Sequence, residues 1–230
     1  MKRILVAVLA VLAISCSDEK DGVNPNNSIN TDFSKSIEGW NWGFADYPEG
    51  VEEEWQFSVK QDTLPSPLDR TKKALRVSGS NHSDDLFMYI TKKVTMPKAN
   101  QSYEGTFEID FATEAAESSM GVGGSPAHSV YMGIGLVSVE PAKKMTDDGH
   151  YRMNISKISQ SQDGEDMKVI GDVSNGKDDF VYTMVKRTGK FTGKTDANGN
   201  LWVIIGTDSG FEAVTTLYYT NVKVDLKEVN

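Results

Sequence analysis

The chain predicts an all-β fold, a single jelly-roll-like β-sandwich of about ten antiparallel strands. Three observations lead there. Apolar and polar residues alternate with a period of two along several segments, turn signals recur between them, and no stretch after the first fifteen residues repeats its apolar positions at helical spacing. The elements follow in chain order.

Residues 1–15 open with Lys2 and Arg3 and continue as an uncharged apolar run from Ile4 to Ile14. That run is too short to span a bilayer as a helix, and a basic start before a short apolar core reads as a secretory signal. Residues 16–30 are rich in Asp, Asn, Ser and Gly, the composition of a flexible acidic tether. The folded body is expected over 31–230.

Within the body, the stretch "SYEGTFEIDFA" (102–112) sends Tyr103, Phe107, Ile109 and Phe111 one way, and Thr106, Glu108 and Asp110 the other. That is a half-buried strand. "LFMYITKKV" from Leu86 and "LWVII" from Leu201 are apolar on both faces and read as central strands. "HYRMNISK" from His150, "FVYTMVKR" from Phe180 and "TLYYTNVKVDL" from Thr216 complete the set. Asn198-Gly199 signals a hairpin turn before the Leu201 strand. Pro65, Pro67, Pro97, Pro126 and Pro141 fall between strands, where the missing N–H does least harm.

Charge excludes some functions. The 230 residues carry a formal net charge of −9, and losing Lys2 and Arg3 with the leader makes the remainder more acidic. Phosphate backbones need basic patches, so nucleic acid is not a partner. A polybasic grip on anionic lipid is excluded likewise.

The lone cysteine, Cys16, has another use. "AISC" (13–16) resembles a bacterial lipobox, which implies cleavage before Cys16 and a diacylglycerol on its thiol. "SDEKD" (17–21) resembles the acidic surface-export signal of Bacteroidetes lipoproteins. Together these imply an outer-membrane lipoprotein, held to the membrane by its lipid and facing the surface rather than the periplasm. "DFSKSIEGW" from Asp32 and "LYYTNVKV" from Leu217 resemble the opening and closing strands of carbohydrate-binding-module jelly rolls. Those modules often hold a structural calcium on Asp pairs near the closing strand; Thr220 and Asn221 stand there instead. "GFADYP" from Gly43, "SGSNHSDDLFMY" from Ser78, "GGSP" from Gly123, "YRMN" from Tyr151 and "GTDSGFE" from Gly206 resemble a family of exported bacterial proteins without an established activity, which implies one integral domain and no mechanism.

Several groupings have the chemistry of a site. Trp40, Trp42, Phe44, Tyr47 and Trp55 crowd a segment rich in Gly and Pro. Aromatic faces stack on sugar C–H faces, so Trp40, Trp42, Tyr47 and Trp55 are the candidate ligand-binding residues, against a competing role in the core. Trp202 alternates within a strand and reads as core. "NHSDD" (81–85) offers imidazole and oxygen donors. His82 and Asp85 are its functional pair, and Asp84 and Asp85 could take a metal such as a structural calcium; a self-bonded polar turn competes. Asp208 and Glu212 in "GTDSGFE" are paired carboxylates suited to acid–base work if a cleft separates them, and Arg152 could stabilise charge. Glu108, Asp110 and Glu114 miss a glucanase-type spacing by one residue, and an acidic solvent-facing stripe is the alternative. Tyr131, Gly133 and Gly135 share one face, where something approaches closely. The three histidines lack zinc-type spacing and there is no second cysteine.

Three functions follow as expectations: a glycan- or ligand-binding module, a glycoside hydrolase or lyase on the same scaffold using His82, Asp85, Arg152, Asp208 and Glu212, or a structural lipoprotein whose partner is another envelope protein. Convergence of His82, Asp85, Arg152 and Asp208 in one cleft would favour the enzyme.

Overall fold

The computed structural model describes residues 28–83 and 85–229. The expected leader, Cys16 and Asp84 lie outside them. The described residues begin with β1 (Ser28–Asp32), which pairs with the last strand, so 28–30 of the expected tether are strand.

The strands after β1 are β2 (Asn41–Ala45), β3 (Tyr47–Pro48), β4 (Ser58–Thr63), β5 (Lys73–Ser80), β6 (Leu86–Thr95) and β7 (Ser102–Thr113). They continue as β8 (Val130–Val137), β9 (Lys143–Met145), β10 (His150–Met153), β11 (Lys168–Asp172), β12 (Thr183–Lys194), β13 (Asn200–Ser209) and β14 (Val214–Val229). Among the described residues a single 3-10 turn spans Glu52–Trp55. One sheet runs β12-β7-β14-β5-β4 with β1 also on β14; the facing sheet runs β11-β8-β13-β6-β2. All pairings are antiparallel. The expected all-β sandwich is the observed fold, with more strands than expected because short ones (β1, β3, β9) lack a full alternating period.

The core fills the space between the sheets. Phe107, Ile109 and Phe111 of β7, with Val222 and Val224 of β14, meet Met88 and Ile90 of β6, Met132 and Ile134 of β8, and Val203 and Ile205 of β13. Each fully buried side chain of this kind contributes about 1.5–3 kcal/mol through area removed from water. Opposite them on β7, Glu108 and Asp110 face solvent and pair with Lys186 at 3.0 and 3.5 Å. The acidic stripe is therefore a neutralised outer face.

Asn198-Gly199 does form a turn, with Gly199 at φ +80° and its N–H donating to the Asp196 carbonyl. It is not a hairpin, because β12 and β13 belong to different sheets. The local signal fixes the reversal, and the hydrophobic faces then send each strand to its own layer.

Between β8 and β11 the chain leaves the sandwich for residues 138–167 and returns. This excursion carries β9 and β10, which join β3 in a small third sheet. Its Met153, Ile155, Ile158 and Met167 cover Phe87, Tyr89, Val137 and Ile204 on the outer face of the second sheet. The close approach expected at Gly133 and Gly135 is made by this excursion. A Cβ on Gly135 would lie 2.3 Å from the Asp166 carbonyl oxygen, and one on Gly133 would lie 2.8 Å from Ile158 Cδ1.

Candidate functional site

Four of the five crowded aromatics turn inward. Trp40 is 4 % exposed, its indole N–H donates to Thr31 Oγ1 at 3.1 Å, and its ring meets Phe33 at 5.5 Å. Tyr47 is fully buried, stacked on Phe44 at 4.3 Å and flanked by Trp55 and Tyr151 at 5.7 and 5.1 Å. Trp55 is buried too, with His82 edge-on at 5.3 Å. Trp40, Tyr47 and Trp55 thus serve the core and cannot stack on a ligand from solvent. Only Trp42 of the four candidates is exposed, at 39 %, on the edge strand of the second sheet.

The excursion is held by two lysines. Lys143 places its ammonium 4.6–4.9 Å from the ring centres of Phe44, Tyr47 and Tyr151, and hydrogen-bonds the Tyr47 hydroxyl. Burial lowers its pKa below the ordinary lysine value, and raises that of Tyr47. Cation–π attraction offsets part of that desolvation.

Lys157 enters a cage of carboxylates. Its ammonium pairs with Asp208 Oδ2, lies 2.9 Å from Asp46 Oδ2 outside hydrogen-bond geometry, and lies 3.8 Å from Asp85 Oδ1. Arg152 stands 4.0 Å from both Asp46 and Asp85. Asp46 reaches the cage from a left-handed backbone (φ 69°), a conformation Asp tolerates better than most residues. Burial pushes the Asp208 carboxyl up to about 6; Lys157 pulls it down, while Asp85 and Asp46 push the same way as burial. Burial also works against the charge on Lys157, yet the three carboxylates hold its pKa above the ordinary value.

Asp85, Arg152 and Asp208 therefore converge, joined by Asp46 and Lys157, which sequence reasoning missed. His82 does not join them: its Nε2 bonds the Glu54 carbonyl at 3.0 Å. Glu212 lies in a different cleft, beyond the end of β13. The cage is also poorly placed for catalysis. Asp208 is 0 % exposed and Asp46 nearly so, and neither can touch a substrate. Among the described residues Asp46, Asp85 and Asp208 are the three acidic side chains close enough to share a cation, and the Lys157 ammonium already sits with them. The arrangement clamps the excursion to the sheet.

Trp202 is core in part: its ring packs against the cluster of Met153, Ile155 and Ile204 that the excursion builds. It sits half-buried on the outer face of the second sheet, with Lys93 Nζ 5.2 Å from its ring centre. Together with Gly39, Asn41, Lys92, Lys93 and Glu140 it lines a cleft of about 230 Å³. A lone Trp in an alternating strand looks the same in sequence whether its face is covered or open. Only the reach of the excursion decides.

A second polar cluster lies along β11 and β12. His128 Nδ1 pairs with Asp172 Oδ2 at 2.7 Å, and its Nε2 faces the Glu117 carbonyl at 3.0 Å. Arg187 donates to Asp172 Oδ1 at 3.1 Å. The Asp172 hydrogen bond leads the causes that raise the His128 pKa. Both ring nitrogens face acceptors, so the imidazolium is the form this pocket fits. The Ser125 hydroxyl oxygen accepts from the Ala127 and His128 N–H groups, and the Ser129 hydroxyl oxygen from the Ser125 N–H.

No family model matches the chain, and no curated protein is similar to it in sequence. Solved structures share the β-sandwich. One is a carbohydrate-binding module of the β-sandwich superfamily, 12 % identical over 86 % of this chain and 60 % of that one, with a TM-score of 0.37. Another is TmCBM61, solved with β-1,4-galactotriose, 8 % identical over 86 % and 94 %, with a TM-score of 0.39. A third is the CBM22-1 xylan-binding domain of Paenibacillus barcinonensis Xyn10C, 11 % identical over 88 % and 95 %, with a TM-score of 0.38. The chain spans less than two thirds of the first of these. None of these TM-scores reaches 0.5, and nothing about ligands passes from these proteins to this chain.

Proposed function

We propose that this protein is a non-catalytic glycan-binding module of the cell envelope, anchored through a lipid on Cys16 and displayed on the outer-membrane surface. The observation that carries the binding reading is the Trp202 cleft. An aromatic face there is ringed by hydrogen-bonding side chains of both kinds: donors on Asn41, Lys92 and Lys93, acceptors on Asn41 and Glu140. Apolar sugar faces stack on such a ring while hydroxyls satisfy the rim. The burial of Asp46 and Asp208 supports binding over hydrolysis, since it leaves Asp85 as the one carboxylate of the cage that faces solvent, where hydrolysis uses a pair.

A glycan array and calorimetry with the full chain test this. Binding to a polysaccharide that falls at least tenfold in Trp202→Ala and in Asn41→Ala is the expected result. Absence of binding to any glycan, or binding unchanged in both variants, overturns it. The anchor is tested separately by mass spectrometry of protein isolated from cells: a diacylated Cys16 at the N-terminus is expected, and a free thiol with the leader attached refutes it.

A further inference from the structure

β14 is longer than its neighbours, and its first turn of strand is paired on one side only. On one edge it pairs with β5 over Val214–Tyr219, then with β1 over Asn221–Asp225. On the other edge pairing with β7 begins only at Tyr218, opposite Ala112. Continued in register, Thr113 to Ala116 would face Leu217 back to Val214. They do not. The chain after β7 peels away: Ala115 accepts from the Asn175 N–H at 2.8 Å, and Glu117 donates to the Lys177 carbonyl at 2.6 Å. Among the described residues Val214–Leu217 thus have no strand partner on this edge, which is reached from solvent at exposed Val214 and half-buried Thr216 while Thr215 and Leu217 turn inward.

The wedge left by this divergence is a cleft of about 460 Å³, lined by Thr113–Ala115 on one side and Val214–Leu217 on the other. Four of the eight large hydrophobic side chains that are exposed among the described residues rim it: Met120 at 92 %, Val122 at 68 %, Phe180 at 65 % and Val214 at 56 %. Scattered exposed apolar residues are ordinary, but this concentration marks an interaction site. The titratable residues lining the cleft are Glu114 and Glu212, and no basic side chain lines it.

We propose that this cleft binds an extended peptide segment of a partner protein by strand addition to β14, with alternating apolar side chains in the wedge and a Lys or Arg facing Glu114 and Glu212. Each feature selects the occupant. A free edge of peptide groups is satisfied by another peptide backbone and not by a sugar or lipid tail. Four edge residues span about 13 Å, the length of a four-residue strand. With no basic side chain lining the cleft, Glu212 and Glu114, the latter hydrogen-bonded by the Tyr182 hydroxyl, select a basic residue over an acidic one. This site is independent of the Trp202 cleft.

Panning a phage-displayed random octapeptide library on the full chain tests the inference, followed by hydrogen exchange with the best synthetic peptide. Enriched sequences should alternate β-branched residues beside a Lys or Arg. The peptide should slow exchange at Val214–Leu217. Affinity should fall at least tenfold in the Glu114→Gln/Glu212→Gln double variant, Glu114 being exposed and Glu212 half-buried, and in a peptide N-methylated at alternate amides. No enrichment over bare support, protection elsewhere, equal binding by the N-methylated peptide, or protection of the same amides by a second copy of the chain or by oligosaccharide overturns it.

Discussion

Replacing Lys157 by Met keeps the bulk of the side chain and removes the ammonium from the carboxylate cage. Asp208 and Asp46 then lose their nearest cation while remaining buried, and Arg152, 4.0 Å from Asp46, is too far out to replace it. Breaking a buried pair by removing one partner costs about 3–5 kcal/mol. In a domain of this size that lowers the melting temperature by roughly 6–20 °C. The loss depends on pH with a definite sign. Asp208 already has its folded pKa raised from 3.8 to about 6, and without Lys157 it rises further, since Lys157 is what pulls it down. The native state then binds a proton that the unfolded state releases, so stability increases as pH falls through the raised value toward 3.8. Each pH unit of that window returns up to about 1.4 kcal/mol. Urea unfolding of Lys157→Met at pH 8 and pH 5 reads both quantities: a deficit of several kcal/mol at pH 8 that narrows at pH 5. Adding Asp208→Asn should recover more than half of it at pH 8. A deficit below about 1 kcal/mol that is the same at both pH values refutes the clamp.

Three further outcomes follow from the same geometry. Gly135→Ala pushes a methyl group against the Asp166 carbonyl and Met167, and should cost about 1–3 kcal/mol while speeding proteolysis within 138–167; an unchanged digestion pattern would show that the excursion gives way freely. Trp40→Ala should cost about 3–5 kcal/mol in thermal or urea unfolding and leave glycan affinity unchanged, because its ring is core; lost affinity with intact stability would return Trp40 to the ligand site. The raised pKa of His128 means its contribution is full below 6.5 and is lost as pH rises through the folded value. Asp172 is lowered, burial opposing and the His128 and Ser174 hydrogen bonds prevailing, so its share is present above 3.8 and lost as pH falls through the folded value. NMR titration of the imidazole should show the elevated midpoint, returning toward 6.5 in Asp172→Asn; a midpoint unmoved by that change would dissociate the pair.

The sandwich was legible where one face of a strand is wet. In 102–112, Phe107 and Glu108 alternate because one side meets the core and the other meets Lys186. Leu86–Ile90 and Leu201–Ile205 read as doubly covered, and they are, though the outer cover is the excursion and not a helix. The site was less legible. The Gly- and Pro-rich run around Trp40 looked like loops bearing free rings, yet Trp40, Tyr47 and Trp55 turn into the core and only Trp42 stays out. Asp208 was visible as a carboxylate beside a turn, but Asp46 and Lys157 carry no local mark. Each is a single charged residue whose meaning comes from a partner a hundred residues or more away, or from the third sheet between them. The open edge of β14 was invisible for a similar reason: it exists only because β7 ends early.

The 138–167 excursion, pegged by Lys143 and Lys157, shutters one broad side of the sandwich with the chain's own material. A long polymer has no trough to lie in there, and both proposed sites lie beyond its edges. The Trp202 cleft and the cleft beside β14 stand at opposite ends of β13, about 23 Å apart by strand rise from Trp202 to Ser209. At that spacing the proposed glycan and the proposed peptide would not compete, and one domain would hold both at once.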